Sequence, residues 1–416
     1  MSCDEALRSR VHVNNVICFD PDPLPKWFAM KITFVTDTYS PQANGVATTL
    51  ERLVKGLQER GHEVDIIRPA ILACEEAGLR VPSFGLPGYK EVRFGFPMKL
   101  VLQSRWIRNR PDVTYVATET PLGASAISAA RALGIPVASG FHTNFQQYMA
   151  HYQMPLLEKA TLKYLRHLHN RSTCTFVPSR DVIADLDARG FENLELLPKG
   201  VDTRLFSPKK RNLALRQSWG VREGSMVGLY VGRIAAEKNL PVVARSFVEV
   251  KKRIPDFQGV FVGDGPLLNE MKREHPEFIY AGVRRGDDLA EHYASADLFV
   301  FPSITETFGN VTLEGMASGL AVIAYDYAAA RQHIISGHNG FSVPFNDEEA
   351  FVAAVIDAAK SDLTDLRAEA RSSARKVRWK KVVKRFEKQL KNLSMGDAPG
   401  FDSEFLEVPT AHSSYS

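Results

Sequence analysis

The sequence predicts an α/β protein built from two doubly wound parallel-sheet domains facing a central cleft. Two observations predict it. From Met30 onward, short apolar runs alternate with amphipathic segments of helical period, the pattern of successive βαβ units. That alternation ends near Leu197, crosses a Gly- and Pro-marked stretch, and starts again near Val227. Open α/β sheets take ligands outside the carboxyl ends of their strands, so two of them in one chain place a cleft between those ends.

The first series reads as strands near 31–36, 63–68, 113–117, 136–140 and 174–177, with helices at 45–60, 97–109, 121–133, 155–171 and 179–189. The second reads as strands near 227–231, 258–262, 278–281, 297–301, 321–324 and 341–343, with helices at 238–253, 265–274, 286–295, 311–318, 329–335 and 347–360. Leu197 to Arg222, with Gly200, Pro208 and Gly220, reads as the connector. Residues 365–391 read as one strongly basic helix. Its Trp379, Val382, Val383, Phe386 and Leu390 recur at helical spacing, so it is expected to pack and cross back to brace the first domain. The expected division is an N-terminal extension over 1–29, an acceptor domain over 30–205, a donor domain over 206–375, a returning helix over 376–393 and a disordered tail over 394–416. Residues 1–29 carry Pro21, Pro23 and Pro25 and no clear period; they read as an extension or a start placed too early, with the domain beginning at Met30.

Composition excludes several function classes. The 416 residues are 44% hydrophobic and 24% charged, ordinary for a globular protein. A net charge of +4 is too small to argue for a nucleic-acid partner. Cys3, Cys18, Cys74 and Cys174 are scattered without a C-x-x-C, which suggests neither zinc nor a disulfide framework and fits a reducing compartment. No apolar run approaches the roughly 20 residues of a membrane span. Asp4, Glu5 and Arg8 come with no apolar core for a signal peptide. The expected location is cytoplasmic, with contact at the inner face of the cytoplasmic membrane left open.

The chemistry is concentrated at strand ends. Glu306 to Gly315 follows the apolar run Leu298–Ser303 and opens a helix. A strand, a tight turn and a helix N-terminus aim free N–H groups and a positive dipole end at an anion. Singly, Glu306 is a loop solubiliser and Glu314 a surface helix residue. Together they flank a diphosphate-sized anion site with two hydroxyl-binding carboxylates, as a nucleotide sugar requires. Arg233 and Lys238 flank the short turn after the strand at 227–231 and can neutralise a diphosphate leaving group without a metal. Gly263, within Val262–Pro266, allows a tight turn at the next strand end, and Gly45, within Pro41–Val46, lets backbone approach a ligand. His142 follows the apolar strand Ile135–Ser139 and faces the cleft. No G-x-G-x-x-G and no P-loop occurs, which disfavours dinucleotide and P-loop NTPase readings.

Taken in order, Asn44-Gly45, His142, Gly232-Arg233 with Lys238, Gly263-Asp264-Gly265-Pro266, and Glu306 with Glu314 resemble the retaining glycosyltransferases of family 4, of GT-B fold. The resemblance covers residues 31–391. Closer wording at Thr36–Tyr39, Leu86–Tyr89 and Phe141–Phe145 resembles a subgroup. That subgroup holds GDP-mannose-dependent α-mannosyltransferases and the synthases of sulfoquinovosyl- and glycosyl-diacylglycerols.

The resemblance implies roles residue by residue. Arg233 and Lys238 would hold the donor diphosphate, and Gly45 would approach it. His142 would hydrogen-bond the donor sugar without acting as a base. Glu306 would bind sugar hydroxyls and Glu314 the ribose. Amides of Asn310, Val311 and Thr312 would touch the phosphates, Gly263 would line the donor site, and Val283 would lie by the base. Such enzymes retain anomeric configuration and use no metal and no cofactor beyond the nucleotide-sugar donor.

The expected reaction is hexosyl transfer, mannose favoured, to a hydroxyl of a membrane lipid or lipid-linked glycan. Peripheral membrane contact is expected through the stretch Tyr89–Arg110, where apolar and basic residues mix, although a core helix with a solvated basic face reads as well. A UDP-sugar lipid transferase, a nucleotide-sugar epimerase and a non-catalytic sugar-nucleotide-binding protein are the alternatives. One departure from the family stands after Asp326. The family's Gly-Gly pair is replaced by Ala328-Ala329-Ala330-Arg331, which is expected to stiffen the loop and bring Arg331 to the cleft.

Overall fold

The computed structural model describes residues 29–39, 45–70, 78–86, 89–142, 155–306 and 308–396. Sequence expectations for 1–28, for Pro41–Asn44, for 143–154, for Thr307 and for the tail from 397 lie outside these residues.

The first sheet runs in the order β3-β2-β1-β6-β7-β8-β9, with every pair parallel. Its strands are β1 (Lys31–Val35), β2 (Glu63–Pro69), β3 (Leu79–Val81), β6 (Val113–Val116), β7 (Val137–Gly140), β8 (Cys174–Val177) and β9 (Leu194–Leu196). A separate antiparallel hairpin, β4 (Ser83–Leu86) with β5 (Tyr89–Gly95), leads into the helix α2 (Lys99–Arg108), which follows α1 (Gly45–Glu59). The remaining helices here are α3 (Pro121–Ala132), α4 (Pro155–His169) and α5 (Arg180–Ala188).

The second sheet runs β12-β11-β10-β13-β14-β15, again all parallel. It consists of β10 (Val227–Val231), β11 (Gln258–Val262), β12 (Ile279–Gly282), β13 (Leu298–Phe301), β14 (Ala321–Tyr325) and β15 (Phe341–Val343). After α6 (Leu213–Ser218), its helices are α7 (Leu240–Arg253), α8 (Leu268–Glu274), α9 (Gly286–Ala294), α10 (Asn310–Ala317), α11 (Ala328–His333) and α12 (Glu348–Lys360). The strands are buried on both faces, which is why they read as continuous apolar runs. In each sheet the chain steps outward from its first strand, then returns to that strand's other edge. The reversal falls between β1 and β6 and between β10 and β13. Crevices at such reversals are where open α/β sheets hold ligands.

The connector holds a 3-10 turn at Pro208–Lys210 and α6, capped by Asn212, whose side chain accepts from Leu215 N at 3.1 Å. The C-terminal expectation is corrected. The single basic helix is two helices, α13 (Thr364–Lys376) and α14 (Trp379–Met395). The break has a tertiary cause. Val201 N donates to Val377 O at 3.0 Å, and Val201 pairs with Arg378 in a parallel bridge. Gly200 lies so close that a Cβ there would stand 2.8 Å from Trp379 N. The two chain crossings between the domains thus pass side by side, and the connector occupies the turn that would have joined the helices. The last helix also continues through Met395, ending at the left-handed Gly396 (φ 81°).

Helix α14 belongs to the core of the first sheet. Val382, Val383, Phe386 and Leu390 pack with Leu50, Leu53 and Leu57 of α1 and with Phe34 and Tyr115. Phe386 makes edge contacts with Phe34, Tyr115 and Phe176. Glu387 adds a buried tie, accepting from Arg60 at 2.6 Å beside His62 Nε2 at 2.8 Å. Lys380, Lys381, Lys384 and Lys388 stay exposed on the opposite face. No helix among the described residues is long and apolar enough to cross a membrane.

Candidate active site

The site assembles on the loops that leave β10, β13 and β7, with the start of α1 opposite. After β13 the chain turns at Gly309, which is left-handed (φ 86°, ψ 62°) and serves as N-cap of α10. A side chain would be strained there, so glycine is required for the turn itself. Thr312 N donates back to Gly309 O at 3.1 Å. The amides of Asn310 and Val311 make no hydrogen bond to described residues, so these two, rather than all three expected amides, are open to an anion. Asn310 points at the first domain: a Cβ on Gly45 would lie 3.7 Å from its Nδ2. Its Oδ1 is buried without a hydrogen-bond partner among the described residues. Gly45 and Asn310, far apart in sequence, are therefore facing walls of one cleft.

Lys238 and Glu306 come together as an ion pair. Ser303 Oγ donates to Glu306 Oε1 at 2.8 Å, and Lys238 Nζ also reaches Ser303 Oγ at 3.3 Å and Thr305 O at 3.4 Å. Tyr327 Oη donates to Glu306 O at 2.9 Å and steadies the loop. Lys238 lies on a 3-10 turn, Ala236–Lys238, that ends at left-handed Asn239 (φ 53°). Arg233, on the same loop, is half-exposed and pairs with Glu237 at 3.5 Å. It does not touch Lys238, although Tyr230 Oη anchors its carbonyl at 2.8 Å.

Gly263 has a packing reason of its own. Its φ is 143°, and a Cβ would fall 1.9 Å from Gly232 O, so the loops after β10 and β11 cross on bare backbone. Val283, just past β12, is exposed. Glu314 lies beyond the first turn of α10, further in than expected, because the helix begins at Asn310. Tyr293 Oη donates to it at 3.1 Å, and burial pushes its carboxyl up to about 7.

On the opposite wall, His142 is buried and its Nε2 lies 2.6 Å from Tyr115 Oη. Burial first, then the charge on Lys199, lowers the imidazole to about 3, so the ring is neutral at working pH. Burial raises the Tyr115 hydroxyl, which stays protonated. With no other acceptor among the described residues, the phenol donates to Nε2 and leaves the ring proton on Nδ1. Gly140 makes this possible: its Cβ would sit 2.2 Å from Tyr115 Oη and 2.5 Å from His142 Nε2. A neutral imidazole of such low basicity can orient a hydroxyl but is a poor base.

Sequence reasoning missed Lys199, Tyr115 and Asp37. Asp37 is buried between the Thr118 hydroxyl, which donates at 2.7 Å, and that of Thr120. Lys199 sat inside the connector, and its flanking Pro198 and Gly200 were the only signal. The Ala328 departure is also resolved. Ala328 adopts φ 51°, the left-handed region that glycine takes at ease. Arg331 reaches across to the first domain, 3.3 Å from Asp181, and holds Asp326 at 3.3 Å. Among the described residues no group of three or more His, Cys, Asp or Glu is placed to hold a metal.

Two facing Rossmann-like domains, with a helix N-terminus, a Lys–Glu pair and a neutral histidine across the cleft, define the GT-B class of glycosyltransferase. The chain belongs to glycosyltransferase family 4 and is a hexosyltransferase. The family model described as Glycosyltransferase Family 4 matches residues 43–205, and that described as Glycosyl transferases group 1 matches residues 226–361. A GDP-mannose-dependent alpha-mannosyltransferase of Mycobacterium tuberculosis is 31% identical over 330 residues, which is 77% of this chain and 85% of the relative. The sulfoquinovosyl transferase SQD2 of Arabidopsis thaliana is 32% identical over 320 residues, 73% of this chain and 61% of the relative. Among solved structures, Anabaena HepE in complex with UDP and glucose superposes with a TM-score of 0.69 at 17% identity, covering 87% of this chain and all (100%) of that one.

Proposed function

We propose that this enzyme transfers mannose from GDP-mannose, with retention, to a hydroxyl carried by a membrane lipid or lipid-linked glycan. The observation that carries the reading is the Lys238–Glu306 pair at the mouth of α10. It sets a cation for the leaving diphosphate and a carboxylate for sugar hydroxyls side by side. The open amides of Asn310 and Val311 point the same way, toward two phosphates. Arg233 holds the outer phosphate, Glu314 the ribose, Val283 and Gly263 the base side, and Gly45 closes over the phosphates from the first domain. His142 donates Nδ1–H to the transferred sugar. Mannose and GDP are favoured by the mannosyltransferase relatives. A UDP-sugar donor is the second reading, favoured by the glycolipid transferases at similar identity.

A lipid acceptor is supported by the outer face of α2 and the hairpin before it. Leu102 and Trp106 face inward, whereas Leu100 is 78% and Ile107 70% exposed. Phe84, Phe96 and Val101 are exposed beside them, with Lys99 and Arg108 around the patch. Apolar side chains flanked by cations suit an anionic lipid surface. On this reading the 30–205 unit takes the acceptor and the 206–375 unit the donor, with α14 tying the second back to the first.

The test offers radiolabelled GDP-mannose, UDP-glucose and UDP-glucuronic acid to the purified protein with total membrane lipid, and reads label in the organic phase. Label from GDP-mannose alone is the expected result. Label from a UDP-sugar alone moves the assignment to the second reading. An altered free sugar nucleotide with no labelled lipid overturns transfer in favour of epimerisation.

A further inference from the structure

Among the described residues, the cations on the second wall of this cleft are paired with carboxylates. Arg233 has Glu237, and Lys238 has Glu306. Lys199 is 7% exposed, and its ammonium makes no hydrogen bond or ion pair among the described residues. Its Nζ lies over the ring of Phe308, 5.8 Å from the centroid.

The Phe308 contact sets Lys199 against the loop that carries Glu306. Two electrostatic effects agree: its charge depresses His142 on the first domain, and the Glu306 carboxylate on the second acts on it in return. The backbone that carries it is clamped: Gly200 abuts Trp379, and Val201 is hydrogen-bonded to Val377. The side chain is presented from the point where both chain crossings meet.

A buried ammonium without a partner is costly, and an apolar residue of the same length would fold more easily there. Burial lowers Lys199 only to about 8, so it still carries its charge at neutral pH. A charge kept at such a cost, in a cleft built for an anionic donor, calls for an anion supplied from outside the chain.

We propose that Lys199 is a substrate-binding cation, taking an anionic oxygen group that reaches the hinge between the two domains. The group is a donor phosphoryl or an acidic substituent of the acceptor. The inference rests on the nucleotide-sugar reading of the cleft.

The test compares Lys199→Met, which keeps length and removes charge, with Lys199→Arg, which keeps charge; Lys199→Gln replaces the first variant should it fail to fold. Calorimetry reads GDP and UDP affinity, kinetics read kcat and KM with anionic and neutral membrane-lipid fractions as acceptors, and melting gives stability. Lys199→Met is expected to melt no lower than wild type and to lose about tenfold or more in one binding step, the scale of one charge-assisted contact, with Lys199→Arg recovering most of it. Loss of nucleoside-diphosphate affinity identifies the donor phosphoryl. Unchanged affinity with a raised KM for anionic lipid alone identifies the acceptor. A Lys199→Met protein with wild-type affinities, kcat and KM overturns this assignment alone. Wild-type protein that binds neither GDP nor UDP overturns the donor reading, and the Lys199 assignment with it.

Discussion

At the carboxyl ends of the second sheet, charges stand in contact pairs near the surface of the cleft: Arg233 with Glu237, Lys238 with Glu306. At the same ends of the first sheet the polar groups are buried and bound to neutral partners. His142 is tied to Tyr115, and Asp37 lies among the hydroxyls of Thr118 and Thr120. The strand orders are alike, so the fold does not impose the difference. Under the proposed function it follows the ligand. A diphosphate demands mobile, compensated cations that can exchange a carboxylate for a phosphate. A sugar hydroxyl demands a neutral donor held at a fixed angle, which burial and a single hydrogen bond provide.

Breaking the paired side should have the largest effect. Glu306→Gln or Lys238→Met is expected to lower kcat/KM by about two to three orders of magnitude, the usual loss on removing one preorganised charge at a reacting centre. The double variant should lose little more than either single one, because each removal strands the other charge. Additive losses in a double-mutant cycle would break the pairing argument.

A middle-sized effect tests Glu314. Its carboxyl is raised from 4.5 to about 7 in the folded protein, so the protonated form is the favoured one. Its contribution to stability is complete below the unfolded value and is lost as pH rises through about 7. A ribose donating two hydroxyls needs the ionised form, so nucleoside-diphosphate affinity should weaken as pH falls through about 7. Between pH 8 and 6 wild type should lose about tenfold more affinity than Glu314→Gln, since each unit below the titration point costs a factor of ten. Equal pH profiles in calorimetry would remove Glu314 from the ribose site.

The smallest effect concerns the contact between the two sides. Arg331 to Asp181 joins half-exposed groups, so Arg331→Ala should change stability by less than about 1 kcal/mol. Its signature is geometric: a wider domain opening in solution scattering without nucleotide, with the native profile restored when nucleotide is bound.

The sheets were legible because strands buried on both faces are continuous apolar runs, as Leu298–Phe301 shows. The hairpin Ser83–Leu86 with Tyr89–Gly95 was not, because its Phe84 and Phe94 pack on each other at a tilt rather than alternating toward a core. The helix break at Val377 was illegible for another reason: nothing local requires it, and the strand-like contact that causes it comes from Val201.

Within the site, residue type and strand-end position sufficed for Glu306, Lys238, Arg233 and His142, since a loop leaving a buried strand at its carboxyl end has one place to go. By itself the sequence determined the two-sheet architecture, the charged character of one cleft wall and the helix N-terminus after β13, all set by local period and turn chemistry. Only the tertiary structure decided that Lys238 meets Glu306, that burial holds His142 neutral beside Tyr115, and that Lys199 is buried with no ion-pair partner among the described residues. A side chain's proton affinity and partners depend on which distant residues exclude water from it, and that is fixed when the domains fold together.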